Sequence, residues 1–354
     1  MIERNKIIDV CPIVILIFAG IALSFAFQAN VGAQEVDVGD FVRSGIGGRA
    51  LAMAGTYVAV GGDSSTTYWN PAAITDLDQS RFGGMYTDRF SAGIIYQYVS
   101  GIGIIDFNPQ PQTSSRSLSS GTGFLPNLAR GTPISGELGL GLTRISMDIG
   151  ELSYSVGSPV GEARSLWFGS LAYQFPQRTI FDGLSVGGNL KRYKRTLNED
   201  SVSGWGYDIG LIYRTDPEWV KVPLSGRVGF NFQDLGGVDL QSSQEVDIEA
   251  TGVIPPYNRV GIALEYESAI PFLVSAEYDF SPTWPQLNRM SLGTEVSFFD
   301  FFHLRAGLGK WLRQGDFDYT VGAGLAIDRF CLDYAFLPHP ALGATHVLSF
   351  DVKF

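Results

Sequence analysis

Cysteine is nearly absent: 354 residues hold two, Cys11 and Cys331. Histidine is almost as scarce, with three residues, His303, His339 and His346, at no metal-ligand spacing. No metal site and no cofactor is therefore expected. Charged residues make up 17% of the chain, below the usual quarter, and the net charge is −11. An acidic surface repels phosphates, which argues against binding of nucleic acid or of anionic lipid. Long apolar runs are missing after residue 27, and mean hydropathy is only +0.10. A bundle of membrane-spanning helices is excluded.

Glycine, by contrast, is common at 43 residues, and Phe and Tyr contribute 24 and 15. Little charge with much glycine and many aromatics fits β-structure that meets a medium less polar than water on one side. At the N-terminus, Arg4 and Lys6 precede an apolar run from Cys11 to Phe27, and Val31, Gly32 and Ala33 offer a small-residue cleavage site. Residues 1–33 read as a cleaved signal peptide; the alternative is an uncleaved membrane anchor, since the run is nearly long enough to span. Cleavage removes two acids and two bases, leaving the charge at −11 and Cys331 as the one cysteine. An exported chain without disulfides must hold itself by other means, and a closed barrel does so through its complete hydrogen-bond ladder.

After residue 80 apolar and polar positions alternate in segments of about ten residues, the period of a half-buried strand. At the C-terminus His346, Leu348, Phe350, Val352 and Phe354 share one face, opposite Val347, Ser349, Asp351 and Lys353. Tyr207, Ile209, Leu211 and Tyr213 oppose Asp208, Gly210 and Arg214. A soluble sandwich and a membrane barrel both produce such strands, but a solvated sandwich face usually carries Lys, Glu and Thr with little Gly. Here the polar face mixes Gly, Ser and carboxylates, and aromatics cluster at segment ends as interfacial girdles do. The expected fold is all-β: a transmembrane antiparallel barrel of about fourteen strands. The strands fall near 81–89, 91–100, 137–147, 164–175, 183–196, 203–214, 222–233, 257–267, 270–280, 288–298, 302–312, 316–327, 329–338 and 345–354. Residues 234–256 read as an outer loop, whereas the Ser/Pro/Gly-rich stretch 101–136 falls where a short turn belongs. Leu211→Arg is expected to face lipid and cost roughly 2–4 kcal/mol, and Asp208→Asn to be nearly silent. The terminal Phe350, Val352 and Phe354 have the arrangement that barrel-assembly machinery reads.

Two stretches resemble the PorV/PorQ-type outer-membrane proteins, relatives of the FadL-like transporters of long-chain fatty acids. The first, Gly45–Ile74, has a Gly-Arg-Ala start, an Ala/Gly-rich stretch, an acidic turn and then Asn70-Pro71-Ala72. The second, Leu332–Phe336 with Leu342–Phe350, is similar to the family's last hairpin. The resemblance implies that residues 34–79 form a hatch inside the lumen of the barrel 80–354, with Gly47, Arg49, Gly55, Asp63, Asn70 and Pro71 as its motif. Small Ala50, Ala52, Ala54 and Gly55 suit close backbone packing, and Pro71 makes Asn70-Pro71 a rigid bend. The pattern Gly45-x-Gly47-x-x-Ala50 imitates a dinucleotide fingerprint but has no strand before it and no βαβ context.

No nucleophile–base pair stands out, so the chain is read as not an enzyme. Arg227, Glu265, Glu277, Asp279, Arg289, Glu295 and Arg305 are expected to form a lumen charge network bracing the interior and the hatch. Expected partners are outer-membrane lipid and the assembly machinery. Three roles stay open: binding or passage of hydrophobic small molecules, which the FadL resemblance implies, cargo handling with secretion-system proteins, which the PorV resemblance implies, and a structural outer-membrane protein. The short outer loops favour the first.

Overall fold

In the computed structural model the described residues are 39–106, 136–152, 160–176, 181–198, 200–215, 224–242, 252–299, 301–315 and 317–354. The signal-peptide expectation and most of the stretch 101–136 lie outside them. Strands β1 (Arg81–Arg89), β2 (Ile94–Asp106), β3 (Glu137–Leu152), β4 (Val160–Gln174), β5 (Leu184–Leu197), β6 (Asp200–Thr215) and β7 (Leu224–Gln233) form the first half of the wall. The second half is β10 (Tyr257–Tyr266), β11 (Phe272–Phe280), β12 (Arg289–Phe298), β13 (Phe302–Trp311), β14 (Phe317–Ile327), β15 (Phe330–His339) and β16 (Gly343–Lys353). Each pairs antiparallel with its neighbours, and β1 pairs with β16 to close a barrel of fourteen strands. Closure leaves no free sheet edge and satisfies the backbone without water. All fourteen expected strands are present.

Three extents differ from expectation. Residues 101–106 continue β2 and pair with β3 rather than beginning a loop. β3 and β4 run several residues beyond the alternating segments, because their ends carry polar residues that blur the period. The loop 234–256 holds a ribbon, β8 (Val238–Ser242) with β9 (Gly252–Ile254), and β8 pairs with the tip of β6 at Val202 and Ser203.

Burial follows the period-2 reading. On β16 Val347, Ser349 and Asp351 are buried toward the lumen, while Leu348, Phe350 and Phe354 are exposed toward the bilayer. Leu211 points outward with Ile209, as expected for a lipid-facing position. Asp208 does point inward, but the expectation that its substitution is silent is overturned. Its carboxylate lies 2.7 Å from Lys191 Nζ, with both side chains fully buried, and Asp234 approaches the same ammonium at 3.3 Å. Asp208→Asn removes one of the two counter-charges of a buried cation, and a loss of about 3 kcal/mol is expected in denaturant titrations. Unchanged stability would contradict that placement.

Arg81 of β1 stands opposite Lys353 of β16, so the wall begins and ends at one rim. In an even-stranded barrel inserted from the periplasm this rim is the inner one, and the short connections after β10, β12 and β14 lie there. The opposite rim, toward the ends of β1, β11 and β15, is the outer one.

Candidate functional site

The described chain ahead of β1, residues 39–80, has no long regular element. It consists of three short helices, α1 (Asp40–Arg43), α2 (Gly48–Ala52) and α3 (Thr66–Trp69), and a 3-10 turn at Pro71–Asp76. Glycines at positive φ, such as Gly47 (84°) and Gly62 (103°), permit the reversals between them. Asn70 is extended, and its side chain accepts from Ala72 N at 3.1 Å while donating to Val58 O at 2.8 Å and Leu211 O at 3.0 Å. Asn70-Pro71 therefore starts the 3-10 turn and ties it to the wall.

The segment is bonded to strands on every side. Glu277 of β11 accepts from the backbone N–H groups of Tyr57 and Val58 at 2.7 and 2.9 Å. Gly48 N donates to Ser349 of β16 at 2.8 Å, Ala54 N to Thr320 of β14 at 2.9 Å, and Ser64 N to Asp351 at 2.8 Å. Asn189 of β5 and Asn231 of β7 donate to the carbonyls of Thr67 and Trp69. Buried wall side chains thus satisfy backbone groups of a segment too irregular to satisfy its own. Lumen-facing glycines make room for it. A Cβ at Gly187 would come within 2.6 Å of Pro71 C, and one at Gly307 would collide with Ala54 N.

The expected motif residues divide by role. Gly47 and Gly55 hold positive φ at bends. Arg49 forks onto Glu295 with two contacts of 2.8 Å and donates to Gly61 O and the Tyr57 hydroxyl. Asp63 accepts from Tyr57 OH at 2.7 Å and from Ser65 N at 2.8 Å. Burial pushes the Tyr57 phenol well above its usual range, with Arg49 pulling the other way. It stays protonated as the donor to Asp63.

The seven expected network residues do not form one network. Glu295 and Arg305 join Arg49, and Arg305 reaches Asp333 at 2.6 Å. Glu277 and Asp279 surround Arg259 at 3.3 and 3.7 Å. Arg289 pairs with Asp318 at 2.5 Å and donates to Ala54 O. Arg227 and Glu265 form a separate, partly exposed pair toward the inner rim, where Arg227 also donates to Val60 O. Arg259, Asp333, Asp318 and the buried Lys191 were missed, although the alternation of their strands already assigns them to the lumen face. Phe350, Val352 and Phe354 lie along the outer wall of β16, with Phe350 beside Phe82.

Above the segment, at the outer rim, is a cavity of about 270 Å³. Its floor is Leu51, Ala54, Gly55 and Trp69, and its walls include Tyr96, Tyr257 and Trp311. Arg259 lies over the Trp69 ring at 4.6 Å and Arg289 over Trp311 at 5.6 Å, so the cations stack on aromatic faces instead of filling the space. The Tyr96 hydroxyl is buried there without a hydrogen-bond partner among the described residues. The recess thus presents aromatic faces to a molecule of modest size, and Arg43, Arg89, Asp279 and Asp318 add charge to its lining. The histidines stay apart: His303 faces Ser297, His339 accepts from a turn at Ala341, and His346 faces the Tyr334 hydroxyl. Among the described residues no cluster of three or more His, Cys, Asp or Glu is placed to hold a metal.

No family model and no curated protein matches the sequence. The fold does match solved structures. The Pseudomonas putida toluene transporter TodX is 13% identical with a TM-score of 0.54, covering 92% of this chain and 100% of that one. The CymD monoaromatic hydrocarbon channel is 13% identical, TM-score 0.52, covering 88% and 98%. A Pseudomonas aeruginosa FadL homologue is 10% identical, TM-score 0.50, covering 87% and 98%. The chain shares the barrel fold of these three structures, one described as a transporter, one as a channel and one as a FadL homologue.

Proposed function

We propose that this chain is an outer-membrane channel for hydrophobic small molecules, which enter the aromatic cavity at the outer rim. The observation that carries this reading is the pairing of that cavity with the lumen beneath it, where residues 40–77 fill the space and bond to the wall. Such a barrel is poorly suited to water-filled diffusion, yet offers aromatic faces at the outer rim to an apolar ligand. Residues 34–79 act as the plug, 80–354 as the barrel, and residues 1–33 as the signal peptide that delivers it to the outer membrane. The fold neighbours named for toluene and monoaromatic hydrocarbons support the ligand class. A secretion-linked role has no comparable support: the largest outer loop places part of its length in β8 and β9, laid against β6.

The test is equilibrium binding of N-phenyl-1-naphthylamine, an apolar fluorophore, to the purified barrel. Saturable binding is expected, weakened roughly fivefold in Trp311→Ala by loss of one aromatic contact of about 1 kcal/mol. No saturable binding, or binding indifferent to Trp311, Tyr257 and Tyr96 substitutions, would sink the proposal.

A further inference from the structure

One register row on the outer wall carries four side chains of two kinds. Arg144 of β3 stands opposite Trp167 of β4, Trp167 opposite Arg192 of β5, and Arg192 opposite Trp205 of β6. All four face away from the lumen, because the residues flanking them along each strand, such as Ile145, Phe168, Lys191 and Tyr193, are buried inward. The indoles are 48% and 53% exposed. The Arg144 guanidinium lies 5.4 Å from the centre of the Trp167 ring, and that of Arg192 lies 5.0 Å from Trp205.

The row sits where the wall changes character. One step toward the inner rim the outward positions are Leu142, Gly169, Leu190 and Tyr207, an apolar bilayer face. One step toward the outer rim they are Ser146, Ser165, Lys194 and Ser203. Tryptophan beside cations at such a boundary is the composition of a membrane–water interface. The charge is the unusual part. The chain as a whole carries −11, which argues against general affinity for anionic lipid, yet Arg144, Arg192 and Lys194 form no ion pair among the described residues. On the lumen side of the same strands Arg164 and Arg195 share Glu162. Among the described residues a carboxylate is thus supplied where an arginine is satisfied internally, and none pairs with the outward row.

We propose that this row binds a phosphate-bearing lipid headgroup of the outward leaflet. Arg144 and Arg192 lie two strands apart, about 10 Å, so they can grip a headgroup from both sides while Lys194 adds charge from above. Each guanidinium stands over an indole, and Arg192 gives one N–H to Ser203 Oγ at 2.7 Å, which leaves further N–H donors for phosphate oxygens, met two at a time. The indole edges then lie at the junction of headgroup and acyl chains. The site is independent of ligand passage through the lumen, and it marks β3–β6 as the side of the barrel that holds a bound lipid.

The full chain in neutral-sugar detergent micelles is titrated with dibrominated phosphatidic acid, whose acyl bromines quench nearby tryptophan. Saturable quenching is expected. Arg144→Gln/Arg192→Gln/Lys194→Gln should weaken it on the order of 100-fold, from about fivefold per cation near a charged headgroup. Lys310→Gln, a cation on the opposite wall, should leave it unchanged. Heat-modifiable migration confirms that each variant is folded, and Arg192→Gln alone, expected at about fivefold, serves if the triple variant is not. Brominated phosphatidylcholine binding equally well, wild-type affinity in the folded triple variant, or displacement of the lipid by millimolar inorganic phosphate would each overturn the proposal.

Discussion

Arg49→Ala is expected to destabilise the folded chain by about 3–5 kcal/mol, the usual cost of leaving a buried charge with too few partners. Arg49 holds both oxygens of Glu295 at 2.8 Å. Once it is gone, Glu295 keeps only Arg305, which already serves Asp333. Gly61 O and the Tyr57 hydroxyl lose a donor in the same step. The loss should appear as a lower denaturant midpoint and as faster proteolysis between residues 40 and 77. Arg49→Lys should recover only part of it, because an ammonium cannot present the two-pronged contact. Full stability and full protection in Arg49→Ala would mean that the ion cluster does not seat the segment.

The second large effect is expected on permeability. Gly307 of β13 backs onto the peptide between Met53 and Ala54, so Gly307→Val drives a side chain into backbone that cannot rotate away. Ordinary overpacking costs about 1–3 kcal/mol, and collision with main chain belongs at the upper end of that range. The wall has a continuous ladder to hold it, whereas the segment depends on contacts of this kind, so the segment should yield first. Planar-bilayer recordings are expected to change from electrically quiet to a steady ionic leak. Gly103→Val, on the outward face with nothing within 4 Å of the added atom, should stay quiet. A quiet Gly307→Val that remains folded would show that the segment is not what seals the lumen.

Most of the wall was legible in the sequence because the barrel imposes one rule on every strand. Bilayer and lumen alternate, so Phe350, Leu348 and their partners could be assigned to a face from spacing alone. The Asn70-Pro71 bend was legible for a similar reason, since proline restricts two residues whatever surrounds them. What could not be read was pairing across the chain. Arg49 meets Glu295 across 246 positions, and nothing local to either residue names the other. The same gap misled the reading of Asp208. Its inward face was correct, but Lys191 and Asp234 close around it only once β5, β6 and the start of the outer loop are in register. β8 and β9, at five and three residues, are too short to show a period at all. Glycine on the polar face was legible as composition; its purpose, room for a segment folded inside, depends on contacts between distant parts of the chain.

The most direct test compares permeation through the outer membrane of cells with and without this chain, using an apolar aromatic solute and a small sugar. Faster entry of the aromatic solute and unchanged entry of the sugar are expected, because an aromatic vestibule above a filled lumen favours the first and offers no aqueous path to the second. Faster sugar entry, or no gain for the aromatic solute, would contradict the proposed function.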